Sequence, residues 1–340
     1  MDKFFLHLKL PTIIAVISLL VILVVILVGE MAFEKFYSFP TEVNLGVTFS
    51  PKYAKYLKLD WQKTYIRILD ELKVSRIRIP TYWEILEPAP SEYNFSETDF
   101  MLKEAEEKGA EVILVVGARQ PRWPECHIPS WAKKLSVESR KKELLQLVRT
   151  VVERYENNPA IAAWQVENEP LLQVFGEGCD QPDKNFLREE VELVRSLSDK
   201  TVILTDSGEL GLWVTSMRLS DVFGTTLYRQ VYDRFLRYAT YPIPPYLYNI
   251  KSVLIRKFFA PGNKKTIVVE LQAEPWLAHG KFIPPVQQAQ FFTTKDLKNY
   301  INFFQKTGFD EAYLWGVEWW YFMAENGHPE YLNYAKTLFK

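Results

Sequence analysis

Glu111-Val112-Ile113-Leu114-Val115-Val116-Gly117 places five aliphatic residues in a row with no polar alternation. A strand with one wet face alternates apolar and polar residues. An unbroken run is expected where both faces are covered, as in a parallel sheet flanked by helices. The run is preceded by an amphipathic segment over residues 97–108 that closes at Gly109, a residue suited to a helix C-terminal cap. Read outward from this unit, strand-like and helix-like segments alternate along the chain. Strand patterns fall at residues 44–49, 74–80, 111–117, 161–167, 202–205, 222–227, 265–271 and 312–317. Helical patterns fall at 60–73, 97–108, 137–157, 185–199, 210–218, 246–259, 295–308 and 329–340. Eight such units in some 300 residues predict an α/β chain folded as a single (β/α)8 TIM barrel rather than a doubly wound sheet.

Composition agrees with one globular domain: 340 residues, 48% hydrophobic and 24% charged. The 41 basic and 42 acidic residues nearly cancel, so no broad positive field for nucleic acid exists. Aromatic residues reach 15%, which fits a large core or rings lining a groove.

The first forty residues stand apart. Residues 10–28 carry no charge, and from Ile13 onward only Ser18 interrupts an apolar run. That length suits a helix crossing a bilayer. A core helix of a soluble domain would show a polar face. The run leaves through Gly29-Glu30-Met31-Ala32, a poor cleavage site, so an uncleaved signal anchor is expected. Lys3 and Lys9 precede it, which places the N-terminus in the cytoplasm and the remainder outside. The expected division is therefore an anchor with its linker over 1–40 and a barrel over 41–340.

Several chemistries are excluded. No G-x-G-x-x-G, G-x-x-x-x-G-K-[ST] or G-x-S-x-G pattern occurs. His7, His127, His279 and His328 are scattered without the spacing of metal ligands, and no metal or organic cofactor is expected.

The carboxylates carry the chemical signal. In a TIM barrel the site is built at the C-terminal ends of the strands. The fourth expected strand ends in Trp164-Gln165-Val166-Glu167-Asn168-Glu169-Pro170, and the seventh in Val268-Val269-Glu270-Leu271-Gln272-Ala273-Glu274-Pro275-Trp276. Carboxylates ending two opposed strands are what glycoside hydrolysis requires: one protonates the leaving oxygen, the other attacks the anomeric carbon or activates water.

The Asn-Glu-Pro end of that fourth strand resembles the motif of the retaining glycoside hydrolases of clan A, which include families 5, 39 and 42. The resemblance spans residues 44 to about 325. It implies that Glu169 is the acid/base, that Asn168 binds the sugar 2-hydroxyl and that Glu270 is the nucleophile, with Glu274 a rival four residues on. It further implies that Arg78, in Arg76-Ile77-Arg78-Ile79-Pro80, lies against the nucleophile. Tyr228 would hydrogen-bond the nucleophile, and Trp315 would form a platform under the sugar. Many family 5 enzymes carry a histidine after the third or sixth strand, whereas the third strand here ends in Gly117-Ala118-Arg119-Gln120-Pro121-Arg122-Trp123-Pro124. Arg119 either takes that polar role or joins an ion pair behind the site. His127 either touches sugar or is a satisfied loop histidine. Trp123, Trp131, Trp276, Trp319 and Trp320 fall in or near the expected loops, divided between sugar contact and packing.

Cys126 and Cys179 follow the third and fourth strands on one face, where an oxidising exterior permits either a bridge or two thiols. The basic cluster Lys133, Lys134, Arg140, Lys141 and Lys142 reads as a solvated helix face. The expectation is a membrane-anchored retaining glycosidase acting on an oligo- or polysaccharide. A non-catalytic carbohydrate-binding barrel, a scaffold in envelope polysaccharide assembly and a transglycosylase using the same pair are the alternatives. Sugar, linkage and oligomeric state are not legible.

Overall fold

Eight parallel strands close into a barrel in the order β1-β10-β9-β6-β5-β4-β3-β2. They are β1 (Asn44–Thr48), β2 (Arg76–Pro80), β3 (Glu111–Val116), β4 (Ile161–Val166), β5 (Thr201–Asp206), β6 (Val222–Leu227), β9 (Thr266–Gln272) and β10 (Glu311–Trp315). A two-stranded antiparallel hairpin, β7 (Gln230–Asp233) and β8 (Arg237–Thr240), is inserted after β6. This computed structural model describes residues 42–233, 237–262, 264–277 and 283–339, together with Gly29, Phe33, Tyr37, Phe39 and Pro40. The anchor expected over residues 10–28 lies outside the described residues. Among the described residues no helix is long and apolar enough to cross a membrane.

The single-domain barrel expected from the alternating pattern is the fold observed. Apolar runs became strands because helices cover their outer faces while Ile113, Ala163, Ile203, Ile267, Val269 and Tyr313 fill the inside. Gly46 is required where β1 passes Tyr313: a Cβ there would sit 2.6 Å from the Arg76 carbonyl and 2.8 Å from the tyrosine ring. Helix entries carry side-chain caps at Ser50, Asp60, Ser136, Asp183 and Thr293, and Gly109 closes the helix Ser96–Lys108 at φ 67°.

Three local expectations are corrected. The last strand stops at Trp315, and Val317 begins a helix, Val317–Glu325. Trp319 and Trp320 therefore lie buried inside that helix rather than in groove loops, with their indole N–H groups donating to Gln288 and to the Ala273 carbonyl. The β7–β8 hairpin has no counterpart in the sequence reading. It is pinned by Gln272, whose Oε1 accepts from the backbone of Arg229 (2.9 Å) and Gln230 (3.0 Å).

Candidate active site

Above the apolar interior the barrel turns polar at the C-terminal strand ends. Arg78 of β2 is wholly buried, and each of its nitrogens is used. Nε donates to Gln165 Oε1 (2.8 Å), Nη2 to Asn168 Oδ1 (2.6 Å) and Nη1 to Glu270 Oε1 (2.9 Å). The other oxygen of Glu270 accepts from the Tyr228 hydroxyl at 2.8 Å. Glu270 thus projects from β9 between a guanidinium and a phenol.

Glu169 has the opposite setting. It follows β4, its backbone N–H donates to Thr205 Oγ1 (2.8 Å), and Oε1 accepts from the Thr226 hydroxyl (3.3 Å). Among the described residues no ion pair reaches it, and Arg119 acts on it only as a weaker opposing charge. Burial first, then the charges of Glu270 and Glu125, hold its carboxyl well above the usual carboxylate range.

The turn that presents it is strained. Glu167 and Glu169 both occupy the left-handed region, at φ 57° and 46°, as do Arg122 (84°) and Glu125 (72°) on the neighbouring loop. Each such non-glycine residue costs about 1–3 kcal/mol, and such strain concentrates at functional sites. The turn is held by Glu167, which accepts the backbone N–H groups of Ala118 (2.7 Å) and Arg119 (2.5 Å). Behind it lies the buried Glu190 carboxyl, which burial and then the charge of Glu167 raise well above its usual range.

The loop after β3 brings in a third carboxylate that the sequence reading did not single out. Glu125 Oε2 accepts from Asn168 Nδ2 (3.2 Å). Burial, reinforced by Glu270, pushes its carboxyl up to about 7 even though Arg119 draws it down. The neighbouring Cys126 is bonded to Cys179. That bridge ties the loop after β3 to the loop after β4, so one of the two open readings of the cysteines is the observed one. Adjacency to a cysteine was the only sequence signal for Glu125.

The remaining candidates divide. Trp276 is half-buried at the rim, edge-on to Tyr228 (5.0 Å between ring centroids) and to Phe175 (5.5 Å). Trp123 is exposed, whereas Trp131 is turned inward by a bond to the Glu87 carbonyl (3.0 Å). Arg119 lies behind the site, its Nη2 on the Phe175 carbonyl at 2.9 Å. His127 is a loop histidine: it is fully buried, with Nε2 on the Arg122 carbonyl (3.0 Å) and Nδ1 within 3.1 Å of both Glu84 and Lys52. That geometry leaves neither ring nitrogen for a sugar. Glu274 does not project beside Glu270 as a free carboxylate. It is engaged by Arg122, which also binds Glu318 (2.8 Å) and is sandwiched between the rings of Tyr53 (3.8 Å) and Trp315 (4.2 Å). Trp315 therefore gives one face to Arg122 and is only 8% exposed. Among the described residues no group of histidine, cysteine or acidic side chains is arranged to hold a metal ion.

A family model described as beta-galactosidase, of glycoside hydrolase family 42, matches residues 55–202, less than half of the chain. Beta-galactosidase LacZ of Lactobacillus acidophilus is 23% identical over 186 residues, which cover 48% of this chain and 28% of that protein. Beta-galactosidase BgaA of Clostridium cellulovorans is 21% identical over 214 residues, covering 57% and 32%. The chain thus spans about a third of the length of these relatives. Among solved structures, GH5_18 from Bifidobacterium longum subsp. longum superposes with a TM-score of 0.59 at 13% identity, covering 81% of this chain and 70% of that one. A family 10 endo-beta-1,4-xylanase from Gloeophyllum trabeum gives 0.56 at 14% identity, covering 81% and 84%. The chain folds as a TIM barrel, and its motif order and these matches resemble the clan A glycoside hydrolases. Within that clan, its front half is similar to the family 42 beta-galactosidases.

Proposed function

We propose that this chain is a retaining β-glycosidase, with Glu270 as nucleophile and Glu169 as acid/base, held at the outer face of a membrane by residues 10–28. The observation that carries the reading is the contrast between the two carboxylates. Glu270 is ion-paired with Arg78 and hydrogen-bonded by Tyr228, while Glu169 is buried, has no ion pair among the described residues and is raised well above the carboxylate range. A carboxylate held between a cation and a phenol suits the nucleophile, and one raised by burial suits the proton donor.

In the first half-reaction a Glu270 oxygen bonds to the anomeric carbon, and the C–O bond to the leaving group breaks. The departing oxygen takes the Glu169 proton. In the second, the Glu169 carboxylate removes a proton from water, whose oxygen displaces Glu270 from the sugar. Asn168, fixed by Arg78, is placed for the 2-hydroxyl, and Trp276 offers an apolar rim. The named relatives are beta-galactosidases, so a terminal β-galactoside is the first substrate to assay.

A screen of aryl β-glycosides followed by trapping with a 2-fluoro sugar tests the assignment. The labelled peptide should carry the ester on Glu270. A label on Glu274 would transfer the nucleophile. The anchor is tested separately: the full chain should remain in membranes after carbonate extraction. N-terminal sequencing that shows cleavage near Ala32 would remove it.

A further inference from the structure

The helix Pro245–Phe258 is amphipathic in the wrong sense for a barrel helix in water. Its inward face buries Pro245, Tyr246, Tyr248, Asn249, Ser252 and Ile255. Its outward face shows Leu247, Ile250, Leu254 and Phe258, spaced i, i+3, i+7 and i+11, with Val253 beside them, and all five are exposed. Exposed apolar groups contiguous on one face mark an interaction surface rather than ordinary scatter. The stripe is edged by basic side chains. Arg256 and Lys257 line a shallow dent with Val253, Pro261 and Gly262, and Arg218 and Lys264 stand nearby, linked by the bond from Lys264 to the Arg218 carbonyl.

The chain's own N-terminal region arrives at this helix. Gly29, the residue that follows the apolar run, lies against the Tyr246 ring. Phe33 packs on the same ring at 5.8 Å, and Tyr37 accepts from Asn249 Nδ2 at 3.1 Å. A run that is apolar on every side cannot be satisfied by covering one stripe of a neighbouring helix; it calls for hydrocarbon all round. The residues that follow the run therefore pack on the same helix that carries the apolar stripe.

We infer that the outward stripe of the helix Pro245–Phe258 rests in the interfacial layer of the bilayer entered by residues 10–28, with Arg256 and Lys257 at the anionic headgroups. An apolar face with a basic edge is the pattern of a helix lying in the membrane plane. The inference rests on the anchored reading proposed above. It adds a second contact that fixes how the barrel sits on the membrane, where a single anchor would leave it free to swing.

The test uses the full chain in vesicles of phosphatidylcholine and phosphatidylglycerol, without reductant so that the native disulfide stays closed. Leu254→Cys and Phe258→Cys, each labelled with a nitrobenzoxadiazole dye, are compared with Lys103→Cys on the exposed face of the helix Ser96–Lys108. The first two should emit blue-shifted light and be quenched severalfold more strongly by lipids doxyl-labelled near the headgroup than the third. Solvent-like, unquenched emission at 254 and 258 overturns the inference. So does blue-shifted emission without lipid quenching, which means that protein covers the stripe: a second copy if it depends on concentration, residues 1–28 if it does not. Flotation after carbonate washing separates the two claims. A chain that floats with unquenched dyes keeps the anchor and loses the docking face; a chain that does not float loses the anchor as well.

Discussion

Arg78 donates to Asn168 at 2.6 Å from the same guanidinium that holds Glu270 at 2.9 Å, so one buried cation from β2 joins the ends of β4 and β9. A planar fork offers donors in the directions of these two partners and of Gln165 at once. The two halves of the candidate site are thereby set relative to each other by one residue.

Replacing Arg78 should damage fold and turnover together. Arg78→Met leaves Glu270 buried without its cation and should cost about 3–5 kcal/mol in urea unfolding. Arg78→Lys keeps a charge but not the fork to Gln165 and Asn168. It should recover part of the stability while kcat stays depressed at least tenfold. Wild-type kcat in Arg78→Lys would show that charge alone suffices.

The Cys126–Cys179 bridge encloses a long stretch of chain, with a sequence separation of 53. Cys126→Ala/Cys179→Ala should lose about 2–4 kcal/mol through the greater freedom of the unfolded chain. Because the bridge also steadies the loop that carries Glu125, KM should rise more than kcat falls. Unchanged kinetics beside a lowered melting temperature would confine the bridge to stability.

Glu125→Gln separates electrostatics from packing. The folded carboxyl is raised to about 7, above its unfolded value. Its share of stability is therefore complete below the unfolded value and is lost as pH rises through about 7. The variant should melt near wild type at pH 4 and above it at pH 8. Removing this charge also lowers the Glu169 carboxyl, since Glu125 is among the groups that raise it. The alkaline limb of kcat/KM should move to lower pH. A profile superimposable on wild type would remove Glu125 from the electrostatics of the site.

Trp315 was expected from the clan resemblance to serve sugar binding, but its surroundings assign it a structural share. Trp315→Ala strips the stack from Arg122 and empties a buried site, and should cost about 3–5 kcal/mol. Trp315→Phe keeps the stack and should retain most of that stability. Calorimetry decides: a Trp315→Ala transition within a few degrees of wild type would return the ring to a platform role alone.

The barrel was legible because its strands are continuous apolar runs and its helices are periodic. Residues 111–117 and 161–167 could be little else in a chain of this composition. Glu169, Glu270, Arg78 and Tyr228 were legible because each lies at or beside a strand end, where position along the chain fixes position in the barrel. What escaped depends on loop geometry. Glu125 enters the site through a left-handed turn on a bridged loop, and no periodicity encodes that. Arg122 and Glu318 lie far apart in sequence and meet only across the top of the barrel. Trp319 and Trp320 were misplaced because an almost wholly apolar helix following a strand has no polar face to mark its start.

Product stereochemistry in azide rescue tests the central claim most directly. With an aryl β-glycoside of good leaving group, Glu270→Ala should be inactive until azide is added. Azide attacking in its place should then give the glycosyl azide of inverted, α configuration. Glu169→Ala still forms the Glu270 ester, so azide should yield the retained β-glycosyl azide after two displacements. The anomeric proton signal distinguishes the two products. Opposite configurations from the two variants are the result the account predicts; the same configuration from both, or turnover by Glu270→Ala without azide, would contradict it.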